Sequence, residues 1–196
     1  AAQVALALVL LIGSGLLFRT FQELRAVDLG FTERQALTFE VGLPESSYGS
    51  RAEALAFHDA LVPRLEAIPG VETAALVGQC LPLSGHMCWG EVLEAEGRPR
   101  AEGESPPVIG ARIASLDYFG ALGIPVRGRA FTSGDATGGA RVAILSEAGA
   151  AAYFPGEEAL GRRVRFAADE PWLTVVGIAG DVRGRVATDD FLRLIY

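Results

Sequence analysis

The first eighteen residues, Ala1 to Phe18, carry no charge and only two polar side chains, Gln3 and Ser14, whereas everything after Arg19 mixes apolar with charged positions. An uncharged run of about 18 residues meets the threshold for a helix that spans a bilayer. A secretory signal would need a basic start, an apolar stretch of about 7–15 residues and a small-x-small cleavage site. The chain shows neither a basic start nor a clear cleavage site, and it begins without Met inside apolar sequence. We therefore expect a fragment of a longer protein, with residues 1–27 forming a transmembrane helix and its extension. Thr20 to Val27 continue the helix, and Asp28, Leu29 and Gly30 are expected to stop it. Arg19, Arg25 and Arg34 are interleaved with Glu23, Asp28 and Glu33, so flanking charge gives no orientation.

Beyond the span the period changes. Leu37, Phe39, Val41 and Leu43 alternate with Thr38, Glu40 and Gly42, the two-residue repeat of a strand with one buried face. Ser50 and Glu53 form an S-x-x-E capping box that predicts a helix from Arg51. Phe57, Leu61, Leu65 and Ile68 then fall three and four apart, an apolar stripe for the core. Pro63 should kink this helix, because it removes a backbone donor and crowds the preceding turn; Pro69 and Gly70 end it. Val71 to Val77 reads as a strand, completing a strand–helix–strand unit. Further strands are expected at Trp89–Glu96, Val108–Ala114, Arg141–Leu145, Val164–Phe166 and Leu173–Ala179. Short helices are expected at Ser115–Leu122, ending at Gly123, and, capped by Ser146, at Ser146–Phe154. The fold class is mixed α/β (α+β), with residues 28–196 as the domain and an inserted lobe at about 80–140, which opens on the stretch from Cys80 to Pro107 where Gly, Pro and Glu are richer.

Composition narrows the function. With 196 residues, 50% apolar and 21% charged, the chain suits one ordinary domain, or one domain plus an appendage. Seventeen basic against 24 acidic side chains give a net charge of −7, which disfavours a nucleic-acid partner. Every basic residue is Arg, so a P-loop, whose Lys reaches the phosphates, and a Lys Schiff base are both excluded.

Candidate chemistry is sparse. Cys80 and Cys88, the only cysteines, would close a small disulfide loop in an oxidising compartment, and free thiols are the competing reading. With His86 and Met87 they form a set soft enough for copper(I), but the spacing matches no established site, and no metal or cofactor is assigned. A Cys/His nucleophilic pair would draw on Cys80 or Cys88 with His86 or His58; His58, on the capped helix, reads as an ordinary surface or half-buried side chain. Glu91, Glu94, Glu96, Glu102 and Glu104 read as a solvated charge run. Arg127/Arg129, Arg162/Arg163 and Arg183/Arg185 could hold lipid headgroups, but they lie among acids and read better as surface ion pairs.

Three stretches carry a resemblance. The first is the apolar span with Arg19-Thr20-Phe21, then Val27-Asp28-Leu29-Gly30-Phe31. The second is Tyr118-Phe119-Gly120-Ala121-Leu122-Gly123-Ile124-Pro125 with Gly128-Arg129-Ala130-Phe131. The third runs from Val142-Ala143-Ile144-Leu145-Ser146-Glu147 through Tyr153-Phe154-Pro155-Gly156-Glu157 and Leu160-Gly161-Arg162-Arg163 to Val175-Val176-Gly177-Ile178-Ala179-Gly180-Asp181-Val182-Arg183. In order and spacing these resemble the MacB-like periplasmic domain of FtsX-like ABC transporter permeases. The resemblance implies a first helix entering from the cytoplasm and a two-lobed extracytoplasmic domain, with a porter-like α/β subdomain and an inserted second lobe. It further implies a separate cytoplasmic ATPase subunit or domain, a permease dimer, a periplasmic adaptor or lipoprotein partner, membrane lipid, and no catalytic residue. The location implied is the inner membrane, with the domain outside. Two other readings compete: a single-span anchored binding or sensor module, which predicts a stop soon after Tyr196, and a membrane-tethered hydrolase built on the Cys/His residues.

Overall fold

The computed structural model describes residues 2–32, 36–44, 46–78, 81–82, 89–98, 103, 105–136, 139, 141–183 and 193–196. The uncharged run forms helix α1 (Ala2–Arg25), long and apolar enough to cross a membrane, with none of its residues buried against the protein. A helix that is apolar all round and unpacked presents a surface suited to lipid.

The capping box forms as expected on α2 (Arg51–Glu66): the Ser50 hydroxyl accepts from Glu53 N at 3.2 Å, and the Glu53 carboxylate accepts from Ser50 N at 3.0 Å. The helix runs through Pro63 to its last turn. Phe57, Leu61 and Leu65 are half-buried, while Ile68 is exposed, so the stripe is only partly covered. The expected strand at residues 36–43 does not form, and Leu37, Phe39 and Val41 are exposed. Alternation marks which side chains could share a face, but a strand also needs a neighbour to pair with. Most of the expected Val71–Val77 strand is likewise irregular; only β1 (Val77–Gly78) pairs, antiparallel to β5 (Ile113–Ala114).

The remaining strands make an eight-stranded mixed sheet. These are β2 (Trp89–Glu91), β3 (Glu94–Ala95), β4 (Ile109–Ala111), β6 (Val126–Gly128), β7 (Val142–Ser146), β8 (Arg163–Arg165), β9 (Leu173–Ala179) and β10 (Leu194–Ile195). Their order is β2-β4-β10-β7-β9-β8-β3, with β6 added on β9. The expected Trp89–Glu96 strand is two, because β2 pairs with β4 at one end of the sheet and β3 with β8 at the other. Val108–Ala114 is also divided at Arg112, with β4 in the large sheet and β5 in the small one. Strand β9 is central. Strand β7 runs parallel along one edge, while the other is shared by β8 at Leu173–Thr174 and β6 at Gly177–Ala179.

Two core clusters divide the strand side chains between them. Helix α3 (Tyr118–Ala121) packs with Ile144, Ala179, Leu194 and Tyr196 in one; Tyr153 of α5 (Glu147–Tyr153) packs with Ala143, Leu145, Val175, Ile178 and Ile195 in the other. Successive residues of β7 and β10 alternate between the clusters, as a pleated strand requires. In β9 the phase slips, and Val175 and Ile178 join the same cluster although three residues apart. The β7–β9 register shifts between Ala143 and Ile144, so the extra residue of a bulge moves Ile178 back to that cluster. A single turn, α4 (Ser133–Ala136), completes the elements.

Arg112, 4% exposed, donates to the Tyr118 hydroxyl at 2.8 Å and lies 5.5 Å from the Tyr196 ring centre. Burial pushes both phenols above their ordinary value, and the guanidinium opposes the shift without cancelling it. Unfolded tyrosines release their protons near pH 10, while the folded ones hold them longer. Stability from this source is therefore complete below about pH 10 and falls as pH rises above it, with a limiting slope of about 1.4 kcal/mol per pH unit for each phenol. Urea midpoints measured between neutral and strongly alkaline pH should show this fall, and Tyr196→Phe should reduce its slope.

Candidate functional site: the junction of the apolar helix with the domain

The junction is built from three short stretches of chain. Helix α1 ends at Arg25, but its hydrogen bonding continues: Ala26 N donates to Gln22 O at 3.1 Å and Val27 N to Leu24 O at 3.4 Å. The Asp28 carboxylate then accepts from Gly30 N at 2.9 Å, an Asx turn that bends the chain. Leu29 O accepts from Arg183 N at 3.1 Å, and Thr32 N donates to Leu122 O at 2.7 Å. Phe31 packs on the cluster around α3. The strap from Asp28 to Thr32 is thus bonded on one side to the Asp181–Arg183 segment after β9, and on the other to the turn after α3.

Gly30 is required here for two reasons. Its φ is +77°, and a Cβ would overlap the Asp181 carbonyl oxygen. Gly123, at φ +62°, ends α3 as expected, and a Cβ there would meet Thr32 Oγ1 at 2.6 Å. The side chain of Asp181 extends the connection inward, its Oδ1 accepting from Ala148 N at 2.8 Å at the start of α5. Ser146, fully buried, accepts from Gly149 N at 3.0 Å and Leu194 N at 2.8 Å through its one hydroxyl oxygen. The junction, α5 and β10 are therefore linked through polar contacts at one end of the sheet.

Gly180 N donates to Pro125 O at 2.9 Å, next to the β6–β9 pairing, and Gly177 to Ala179 lie within β9 itself. Asp181 acts between elements rather than within one turn.

The arginine pairs are mostly surface ion pairs. Arg127 reaches Glu158 at 2.7 Å, and Arg162 reaches Glu157 at 2.8 Å. Arg163 pairs with Glu96, and Arg165 with Glu94. Arg129 grips Asp135 through two contacts at 2.7 and 2.9 Å. That guanidinium, helped by the Thr132 hydroxyl and N–H, holds the Asp135 carboxyl far below the usual carboxylate range. Glu94 and Glu96 thus belong to cross-strand pairs, while Glu102, Glu104 and Arg185 lie outside the described residues. Cys80, His86, Met87 and Cys88 also lie outside them. His58 sits half-buried on α2, its ring 5.8 Å from that of Phe57. Among the described residues no three His, Cys, Asp or Glu side chains form a metal-holding group.

An apolar helix joined through a bonded strap to a mixed α/β domain is a membrane-type appendage carrying a folded domain. Residues 4–195 match the family model of the MacB-like periplasmic core domain, and the chain belongs to that family. No curated protein matches it. Among solved structures it is similar to the periplasmic region of MacB from Actinobacillus actinomycetemcomitans, at 17% identity and a TM-score of 0.45, covering 68% of this chain and 60% of that one. It is also similar to the extracellular domain of the noncanonic ABC-type transporter YknZ from Gram-positive bacteria, at 19% identity and a TM-score of 0.43, covering 68% of this chain and 58% of that one. The chain thus spans less than two thirds of either relative.

Proposed function

We propose that the chain is the extracytoplasmic part of an ABC transporter permease subunit, and that it couples ATP-driven motion of membrane helices to export or release of a substrate. The observation that carries this reading is the family match, which runs from inside the apolar helix to the last strand. The absence of any Lys in these 196 residues fits it, because nucleotide hydrolysis then belongs to a cytoplasmic ATPase subunit or domain outside them. The partners proposed are that ATPase, a second permease copy, membrane lipid around α1, and an adaptor or lipoprotein outside the membrane. Residues 1–27 are the membrane helix and its extension, and residues 28–196 the domain at the outer face of the inner membrane. The inserted lobe at about 80–140 would share its sheet with the rest of the domain, since β2, β3, β4 and β6 come from that stretch.

Reading the intact gene beyond the Tyr196 codon tests the proposal. Several further apolar segments of about 20 residues are the expected result. A stop codon soon after Tyr196 would overturn it and leave a single-span anchored module.

A further inference from the structure

We infer that Cys80 and Cys88 are joined by a disulfide that closes the mouth of a chain excursion on one edge of the 109–115 stretch. The cysteines lie outside the described residues, but both strands that bracket them lie within. Strand β1 ends at Gly78, opposite Ile113, and β2 begins at Trp89, opposite Ala111. Both run antiparallel to the same stretch of chain, and the hydrogen bonds show that they share one edge of it. Gly110 N and Arg112 N donate to Arg193 O and Ile195 O, so these even-numbered amides face β10. Successive amides of an extended chain point to opposite edges. Ser115 N accordingly donates to Leu76 O, on the side away from β10. Strand β2 takes that side too, because β10 occupies the other edge of β4. Ten residues separate Gly78 from Trp89, whereas Arg112 alone separates their partners.

This pairing narrows the distance between the cysteines. By chain length alone their Cα atoms could lie up to about 29 Å apart. Gly78 and Trp89, however, are held two strand positions from each other, about 7 Å. Cys80 comes two residues inside this mouth and Cys88 one residue inside it. A disulfide needs about 4.4–6.8 Å between Cα atoms, and an opening of that width puts two side chains so near its rim within reach of each other. Leu81 is half-buried and Pro82 buried, so the outgoing leg lies against the protein immediately after Cys80. To form the bond, one cysteine thiolate attacks the disulfide of a thiol oxidase, and the other then displaces the oxidase sulfur from the mixed disulfide. An S–S bond forms here, and the oxidase, reduced by two electrons and taking up two protons, is left with two thiols. The bond fixes the register of β1 and β2 on their shared edge. The oxidising compartment depends on the extracytoplasmic reading proposed for the domain, on which this inference rests to that extent; the closeness of the pair belongs to the fold.

Thiol trapping in the full-length chain, expressed in a bacterium that carries a periplasmic thiol oxidase, tests it. Membranes are denatured in N-ethylmaleimide before and after reduction by a phosphine, and the proteolytic fragment carrying both cysteines is weighed. The expected result is no maleimide before reduction and two after it. Two maleimides without reduction, or a bond from either cysteine to another fragment, would overturn the pair. External protease on spheroplasts reports the side of the membrane separately. Free thiols in a domain that the protease reaches sink the disulfide and leave the permease reading standing; free thiols in a domain it cannot reach sink both. Reducing the folded protein should also speed amide exchange in β1 and β2 while β7 stays slow. Unchanged exchange in those two strands would overturn the hold of the bond on their register.

Discussion

Ser146→Ala is expected to lower stability by about 3 kcal/mol. The hydroxyl oxygen accepts two backbone N–H groups, from Gly149 and Leu194, at a position with no solvent exposure. Each donor left unpaired in a dry core costs about 1–3 kcal/mol. For a chain of this size, 1 kcal/mol corresponds to roughly 2–4 °C, so melting should fall by roughly 6–12 °C. Ser50→Ala removes the same atom from an exposed cap, where water replaces it, and should cost about 1 kcal/mol or less. Equal effects from the two substitutions, read by urea unfolding, would show that burial of Ser146 does not matter.

Gly177→Ala is expected to cost about as much, at roughly 3 kcal/mol, by the opposite route of adding a single carbon. Gly177 lies in β9 where β6 crosses its edge, and its own φ is unremarkable, so the constraint is space alone. A Cβ would overlap the Arg129 carbonyl oxygen and come within 2.9 Å of Val126 Cγ1 and 3.2 Å of Ile144 Cγ1. Ile144 belongs to the core and is fully buried, so the strain has to be relieved by β6. The expected result is loss of the Arg129–Val176 hydrogen bond and faster amide exchange along β6, with β7 unchanged. If β7 and β6 lose protection together, the extra carbon has disrupted the core rather than the edge.

What could be read from sequence follows the range of the interactions. The caps at Ser50 and Ser146, the stop at Gly123 and strand β9 each depend on residues within a few positions, and the structure contains them. Strand β6 has three residues and includes a glycine, and β10 has two, so neither carries a periodic pattern. They exist because β9 and the pair β4 and β7 offer them edges from elsewhere in the chain. The alternation at residues 36–43 shows the reverse case, a clear local pattern without a paired neighbour among the described residues. At the junction, Gly30 was legible as a stop signal. That its φ also admits the Asp181 carbonyl was not, because the two meet only after the sheet has formed. The family resemblance rests on motif order over the whole chain, which no single residue carries.

The last strand of the large sheet, β3, is two residues long, and the chain turns back beside it, with Gly97 at φ +76° and Arg98 N bonded to Ala95 O at 3.2 Å. Its neighbour β8 is lined by the Arg163–Glu96 and Arg165–Glu94 pairs, with Trp172 4.4 Å from the Arg165 guanidinium. Proteins fixed to a bilayer diffuse in two dimensions with the same face outward, so identical sheet rims collide far more often than they would in solution. A long bare rim under those conditions would zip copies together through backbone bonding. This folded-back, charged rim gives such a collision little to grip at the β3 end of the sheet.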